Sequence, residues 1–178
     1  MTNDSRLPES TISVRQPWAW AIVHGGKDIE NRSQAAVRNM SHPIRGRLAV
    51  HASKGMTRDE YLSASDFMQH IGIACPPAGE LLRGGIIGSV EVVEIVLRST
   101  SPWFFGPRGL VLRDARPSAL IPAVGALGIF TWQEADPSIV PTPARWMLPK
   151  AAADVPHPVE AKAEPGAAPD LFSPERAR

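Results

Sequence analysis

The chain has little of what typifies secreted, membrane-embedded or strongly DNA-binding proteins. It has one cysteine, Cys75, which excludes an internal disulfide. It has no run of eighteen apolar residues and no basic N-terminal stretch leading into an apolar one, so we expect neither a membrane span nor a secretion signal and predict a cytoplasmic protein. The formal net charge is only +1, so any nucleic-acid site must be a local one.

Metal-binding patterns are also missing. The five histidines show no i,i+4 spacing and no pairing with cysteine, so the sequence does not support a zinc site, and we expect no metal and no cofactor. Apolar residues make up 43% and charged residues 21%, which is typical of a globular chain. Half of the 18 prolines lie beyond Trp132. We therefore predict a flexible N-terminus over 1–10, one domain over 11–132 and a flexible Pro/Ala-rich tail over 133–178.

Periodicity within the domain indicates a mixed fold. Short alternating or β-branched segments predict strands, and two amphipathic segments predict helices, the second opened by the capping box Thr57-x-x-Glu60. Because the helices do not alternate regularly with the strands, we predict an α+β fold, a small and mainly antiparallel β-barrel with two or three helices. The predicted strands are Thr11–Val14, Asp28–Arg32, Gly46–Ala52, Gly84–Leu97, Gly109–Arg113 and Leu127–Trp132, and the helices are Trp18–His24 and Thr57–Ile71.

Two of these segments set the expected positions of polar side chains. Gly25-Gly26 can end the first helix, which puts Lys27 just beyond its C-terminus, beside a strand carrying Glu30 and Arg32. Alternation along Gly46–Ala52 predicts that His51 points outward. A lysine, a carboxylate and an arginine within six positions could share one cavity, or they could form an ordinary solvated ion-pair network.

Three blocks together resemble the ASCH family of the PUA-like superfamily: S-V-R-Q-P-W-A-W from Ser13, G-K-D-I-E-N-R ending at Arg32, and R-G-R-L-A-V-H-A from Arg45. Two later segments, 101–112 and 125–132, are similar to the family's last strands, so the resemblance covers about three quarters of the chain. It implies a PUA-like barrel, with a cleft where the G-x-K-x-x-E-x-R residues converge. It also implies an association with RNA, since members have been linked to RNA binding, RNA cleavage and deacylation of modified cytidine.

The resemblance leaves open whether the protein is an enzyme. As a ribonuclease or an amidohydrolase of N4-acetylcytidine-type nucleosides, it would use Lys27 as base or electrostatic stabiliser and Glu30 to orient it or to activate water. His51 is a candidate base for RNA cleavage, although a lone exposed strand histidine is more often merely solvated. Short amidohydrolase members have a threonine nucleophile where this chain has Glu30, which puts that covalent route in doubt.

The leading hypothesis from the sequence is a protein that binds RNA or a modified nucleotide. Trp18 and Trp103 could stack on bases, with core packing as the competing role, and Arg108 could contact phosphate or be an ordinary surface arginine. The predicted nucleic-acid contacts are Arg15, Gln16, Trp18, Arg32, Arg45, Arg47, Trp103 and Arg108. The tail residues Asp170, Leu171 and Phe172 faintly resemble the D-L-F peptides with which bacterial proteins dock on the replication clamp, so a weak protein contact there is a further expectation, against a tail that only keeps the domain soluble.

Overall fold

Nine regular elements and three short 3₁₀ helices form the part of the chain that the computed structural model describes, residues 6–38 and 45–149. The strands are β1 (Ser10–Val14), β2 (Ile29–Arg32), β3 (Gly46–Ala52), β4 (Gly85–Val96), β5 (Arg108–Pro122) and β6 (Ile129–Thr131). The α-helices are α1 (Trp18–Val23), α2 (Gln34–Arg38) and α3 (Arg58–His70), and the 3₁₀ helices are Ala78–Glu80, Pro137–Ile139 and Arg145–Met147. In these described ranges, no helix is long and apolar enough to cross a membrane.

One curled six-stranded sheet in the order β2-β5-β4-β3-β1-β6 is the framework of the domain. Strands β1 and β3 are parallel and every other neighbouring pair is antiparallel. The predicted α+β, mainly antiparallel PUA-like fold is therefore confirmed, with the sheet curled into a half-barrel. Three register shifts between β4 and β5, the first next to Gly88, bend the long central strand.

Local signals set several element boundaries. The capping box is present, since the Thr57 side chain accepts from the Glu60 amide while the Glu60 carboxylate accepts from the Thr57 amide. Strand β3 has the predicted bounds. Helix α2 lies where the sequence predicted only a polar loop, and β5 is fifteen residues long where a strand of five was predicted.

Helix α1 is buried on two sides. Ala19, Ile22 and Val23 pack against the sheet, while Ala21 belongs to a second apolar cluster with residues of β2 and α3. An i, i+3, i+4 apolar pattern normally covers one face of a helix, but here the remaining face meets α3 as well. This double packing fixes the turn that follows α1, from which the polar cleft described below is built.

The described chain continues against the domain beyond Trp132, where the composition placed its end. Ala123 forms a β-bridge with Glu134, and the Thr142 carbonyl accepts from Arg83 at 3.2 Å. Met147 is buried in an apolar cluster with Met56, Ala78 and Leu81. Residues 133–147 thus contribute to the folded unit. The tail segment Asp170, Leu171 and Phe172 lies outside the described residues, as do the first five residues.

Candidate functional site

A tight turn after α1 directs Lys27 inward. The Lys27 amide bonds to the Ala21 carbonyl at 3.0 Å, and Gly26 has φ +68°, a backbone conformation that favours glycine. Lys27, the residue after this glycine, is only 4% exposed. The predicted glycine stop of α1 therefore exists, and it places an ammonium group inside the protein.

Lys27, Glu30 and Arg32 form one continuous network. Lys27 Nζ donates to Glu30 Oε2 at 2.9 Å and also to the Ile29 carbonyl. Arg32 Nη2 lies 3.2 Å from Glu30 Oε1 and donates to the Ser13 carbonyl at 2.9 Å. Each carboxylate oxygen thus faces one cation. Because Glu30 is only 8% exposed, this is a largely buried ion pair rather than a solvated network.

Beside this network lies a cavity of about 230 Å³, lined by Trp18, Lys27, Glu30, Asn31 and Phe105. Its aromatic wall is part of a cluster in which the centroid of Phe105 lies 5.1 Å from that of Phe67 and 6.4 Å from that of Trp18. Phe105 is 58% exposed, whereas Trp18 is partly buried. The cavity therefore has a charged wall and an aromatic rim.

Asn31 holds this rim in place. Its Nδ2 donates to the Trp103 carbonyl at 2.8 Å, and its Oδ1 accepts from the Phe105 amide at 2.8 Å. A side-chain amide with two satisfied bonds fixes the loop before β5 relative to β2. Sequence reasoning did not select Asn31 or Phe105. Asn31 is part of the motif G-K-D-I-E-N-R, whose charged residues alone were predicted to form the site. Phe105 belongs to the aromatic segment S-P-W-F-F-G, in which Trp103 is the residue predicted to contact RNA.

The side chains of Trp103 and Gln16 are buried and make their contacts inside the domain. The Trp103 ring is buried against Trp18 and Phe67, so in this structure it has the competing role, core packing. Gln16 donates to the Leu82 carbonyl at 2.7 Å and accepts from the Trp20 amide at 2.9 Å. With both ends of its amide engaged in a buried position, Gln16 supports the start of α1 and is not displayed to a nucleic acid.

His51 is buried, contrary to the outward position that alternation predicted. It is 2% exposed, with Nδ1 2.9 Å from Ser13 Oγ and Nε2 3.0 Å from the Ala123 carbonyl. Desolvation lowers the pKa of its imidazole, an effect that the bond to Ala123 partly opposes. Alternation failed because the segment after β5 packs over the face of β3 that carries His51, with Gly125 directly against the ring. His51 does not line the cavity beside Lys27.

Of the predicted arginines, Arg32 is the one that contacts the Lys27–Glu30 pair within the described residues. Arg15 is exposed and pairs with Glu60 at 2.7 Å. Arg47 forms a salt bridge with Asp114 and so lies in a different network. Arg15, Arg32 and Arg47 therefore belong to three different ion-pair networks.

Two further arginines have distinct positions. Arg108 stands directly opposite Arg32 in the β2–β5 ladder, and directly opposed residues of an antiparallel pair share a face of the sheet. Arg45 is exposed just before β3. Arg108 is thus the second predicted cation near the cleft. Among residues 6–38 and 45–149, no cluster of three or more His, Cys, Asp or Glu side chains is arranged to hold a metal ion.

A curled, mainly antiparallel sheet with a polar cleft beside its first helix defines a small PUA-like domain. The family model of the ASCH domain matches residues 12–104, about half of the chain, and the protein belongs to the ASCH domain family. At the level of the family this is an RNA-binding, PUA-like domain. No curated protein sequence matches the chain significantly.

Proposed function

We propose that the protein binds single-stranded or modified RNA by receiving one base, or one modified nucleoside, in the cleft between Phe105 and the Lys27–Glu30 pair. The observation that carries this proposal is a buried ion pair forming one wall of an open cavity whose rim is an exposed aromatic ring. The ASCH membership supports RNA as the ligand class.

The buried pair supports a binding role because burial of two charges adds little stability by itself. Desolvation of each ion costs several kcal/mol, and a well-packed apolar pair is often as stable. An ammonium has three donors, and Lys27 uses two of them on Glu30 and the Ile29 carbonyl. Lys27 Nζ also lies 6.0 Å from the centroid of the Trp103 ring, and its third donor would serve an acceptor in the cavity, such as a base carbonyl. Glu30 can in turn accept from an exocyclic amine.

The rim and the size of the cavity favour a single base. Stacking on an aromatic side chain contributes on the order of 1–3 kcal/mol per base in single-strand binders. Phe105, which is 58% exposed, and the partly buried Trp18 present ring surface at the opening. At about 230 Å³, the cavity is smaller than the roughly 300–1,000 Å³ typical of sites for drug-sized ligands.

Arg32 and Arg108 provide charge for the backbone attached to that base. They lie opposite each other at the same end of the β2–β5 ladder, and Arg32 is linked directly to Glu30. Two phosphate contacts would give a modest dependence on salt, with a slope of log K against log salt of about −1.4, from about −0.7 per phosphate of a single strand. A local patch of this size agrees with a net charge of only +1.

A second candidate function is hydrolysis in the same cleft, as a ribonuclease or as an amidohydrolase of N4-acetylcytidine-type nucleosides. The favouring observation is that Lys27 and Glu30 line one cavity and touch each other. In this arrangement the ammonium would stabilise negative charge on the reacting carbonyl or phosphate, and Glu30 would orient water. Incubation with N4-acetylcytidine and with RNA, beside the Lys27→Ala variant, tests it by mass spectrometry. Loss of a product in that variant supports hydrolysis, and an unchanged product rejects this assignment.

The binding proposal is tested by fluorescence anisotropy with a short labelled single-stranded RNA. Phe105→Ala should weaken binding about tenfold, the equivalent of about 1.4 kcal/mol, and Lys27→Met should weaken it at least as much. Leu148→Ala is the matched control, since Leu148 is 52% exposed but does not line the cleft. Equal affinities for the wild-type protein, Phe105→Ala and Leu148→Ala would contradict the proposal.

A further inference from the structure

Ser13 and His51 form a hydrogen-bonded pair outside the cleft. They are directly opposite each other in the parallel β1–β3 ladder, which explains why their side chains meet. Ser13 Oγ lies 2.9 Å from His51 Nδ1, and His51 Nε2 lies 3.0 Å from the Ala123 carbonyl. Because a carbonyl can only accept, Nε2 carries the proton in the neutral ring, and Nδ1 accepts from the Ser13 hydroxyl.

This arrangement has the parts of an activated nucleophile: a hydroxyl, a base within hydrogen-bond reach and a third group that orients the base. His51 is 2% exposed and lines, together with Ser13, a cavity of about 400 Å³. Ser13 is partly exposed and also lines a second cavity of about 380 Å³. A ligand in the first cavity would therefore lie beside both members of the pair. Neither cavity is lined by Lys27, Glu30 or Phe105, although Arg32, which contacts Glu30, lines the second cavity and donates to the Ser13 carbonyl, so the pair forms a second site that adjoins the cleft.

The segment 123–128 closes over the pair from one side. A Cβ added at Gly125 would lie 2.5 Å from His51 Cε1 and 2.8 Å from both His51 Nδ1 and Ser13 Oγ. Glycine at this position lets the backbone rest directly on the imidazole and keep solvent from it. Desolvation lowers the pKa of His51, so the ring is neutral and able to accept a proton near pH 7.

Basic side chains line both cavities that border Ser13. Lys54 lines the first cavity, and Arg15 and Arg32, which also form ion pairs with Glu60 and Glu30, line the second. Lys54 in the cavity that Ser13 and His51 share suits a substrate that bears a phosphate or another anionic group next to the reacting centre. An uncharged ester would lack these contacts.

We propose that Ser13 is a nucleophile and His51 its general base in acyl transfer from a carboxylic ester of a phosphate-bearing alcohol. Ser13 Oγ attacks the carbonyl carbon as its proton passes to His51 Nδ1. The bond from that carbon to the alcohol oxygen breaks, and His51 returns the proton to the leaving alcohol. Water, deprotonated by His51, then releases the acid and restores Ser13. This proposal does not depend on RNA binding in the cleft.

The test is covalent labelling by a fluorophosphonate probe, read by intact-protein and peptide mass spectrometry, together with hydrolysis of 1-acetylglycerol 3-phosphate, a carboxylic ester of a phosphate-bearing alcohol. The wild-type protein should gain one label on Ser13, and Ser13→Ala should lose both the label and the hydrolysis. His51→Gln should slow labelling at least tenfold. Ser63→Ala, which alters an exposed hydroxyl outside both cavities, should label like the wild type.

A second variant, Ser13→Cys, guards against loss of fold in the alanine variant. The introduced thiol should react with iodoacetamide faster than the native Cys75, and adding His51→Gln should remove that advantage. A wild-type protein that takes no label on Ser13 and does not hydrolyse the ester would overturn the proposal. So would an alkylation rate in Ser13→Cys that does not change when His51→Gln is added.

Discussion

Replacing Glu30 by glutamine removes the negative charge between Lys27 and Arg32 while it keeps the size of the side chain. The Lys27 side chain is 2% exposed and that of Glu30 is 11% exposed, so little water can replace the lost carboxylate. Lys27 would retain the Ile29 carbonyl and an amide oxygen as acceptors, but its charge would be buried without a counter-ion.

The expected cost follows from this burial. Breaking a buried pair by removing one partner typically destabilises a protein by about 3–5 kcal/mol, and the retained amide oxygen places Glu30→Gln near the lower end, about 3 kcal/mol. For a domain of this size, each kcal/mol shifts the melting temperature by roughly 2–4 °C, which gives a decrease of about 6–12 °C. The free energy of unfolding from urea titration, with a circular dichroism melt, measures both quantities.

Two comparisons show whether the lost charge is the cause. The double variant Lys27→Met/Glu30→Gln should be more stable than Glu30→Gln alone, because it no longer buries an unpaired ammonium. Arg15→Ala breaks an exposed pair with Glu60 and should cost at most about 1 kcal/mol. The reasoning would be refuted if Glu30→Gln cost no more than Arg15→Ala, or if the double variant were the least stable of the three.

Three further outcomes are expected. Because burial lowers the pKa of His51 in the folded state, the unfolded chain binds a proton there first as the pH falls. The free energy of unfolding should therefore decrease as the pH drops below about 6.5, with a smaller slope in His51→Gln. Met147→Ala should lower the free energy of unfolding by about 2–5 kcal/mol, whereas Leu148→Ala, at an exposed neighbouring position, should lower it far less. Equal losses of stability in the two variants would contradict a contribution of residues beyond Trp132 to the core. Gly125→Ala should destabilise by about 1–3 kcal/mol through overlap with the imidazole, while Gly55→Ala, whose Cβ would meet its nearest neighbour at 3.4 Å, should be tolerated; both are measured by urea unfolding.

The parts of the fold that could be predicted were those set by local chemistry. The capping box at Thr57 and Glu60, the glycine turn before Lys27 and the apolar pattern of β3 each depend on a few neighbouring residues. Strand β5 was predicted too short because its second half, beginning R-D-A-R-P-S, is polar and exposed. That half is a strand because β4 supplies its hydrogen-bonding partner, and the local sequence of β5 does not reveal that partner.

In the candidate site too, some residues could be predicted from local sequence and others depend on tertiary contacts. Lys27, Glu30 and Arg32 could be selected because a turn and a strand place residues of that spacing together. Whether an aromatic ring lines the core or the cleft depends on α3 and on the hydrogen bonds of Asn31, so the neighbours Trp103 and Phe105 could not be distinguished by sequence.

The burial of His51 was likewise hidden from the sequence. Alternation along β3 predicted a solvent-facing imidazole, because it assumed that one face of the strand was open. The segment Val124–Leu127, far along the chain, covers that face, and the Ala123 carbonyl accepts from the ring. A contact between segments so far apart in the chain arises from tertiary packing alone.

Photo-cross-linking of a short single-stranded RNA containing 4-thiouridine, followed by mapping of the linked peptides by mass spectrometry, tests the central claim most directly. If one base enters the cleft, the cross-links should fall on the peptides that contain Trp18 and Phe105, and Lys27→Met should reduce their yield. Cross-links found only on other surfaces, such as that of Arg47 and Asp114, would contradict the proposed binding site.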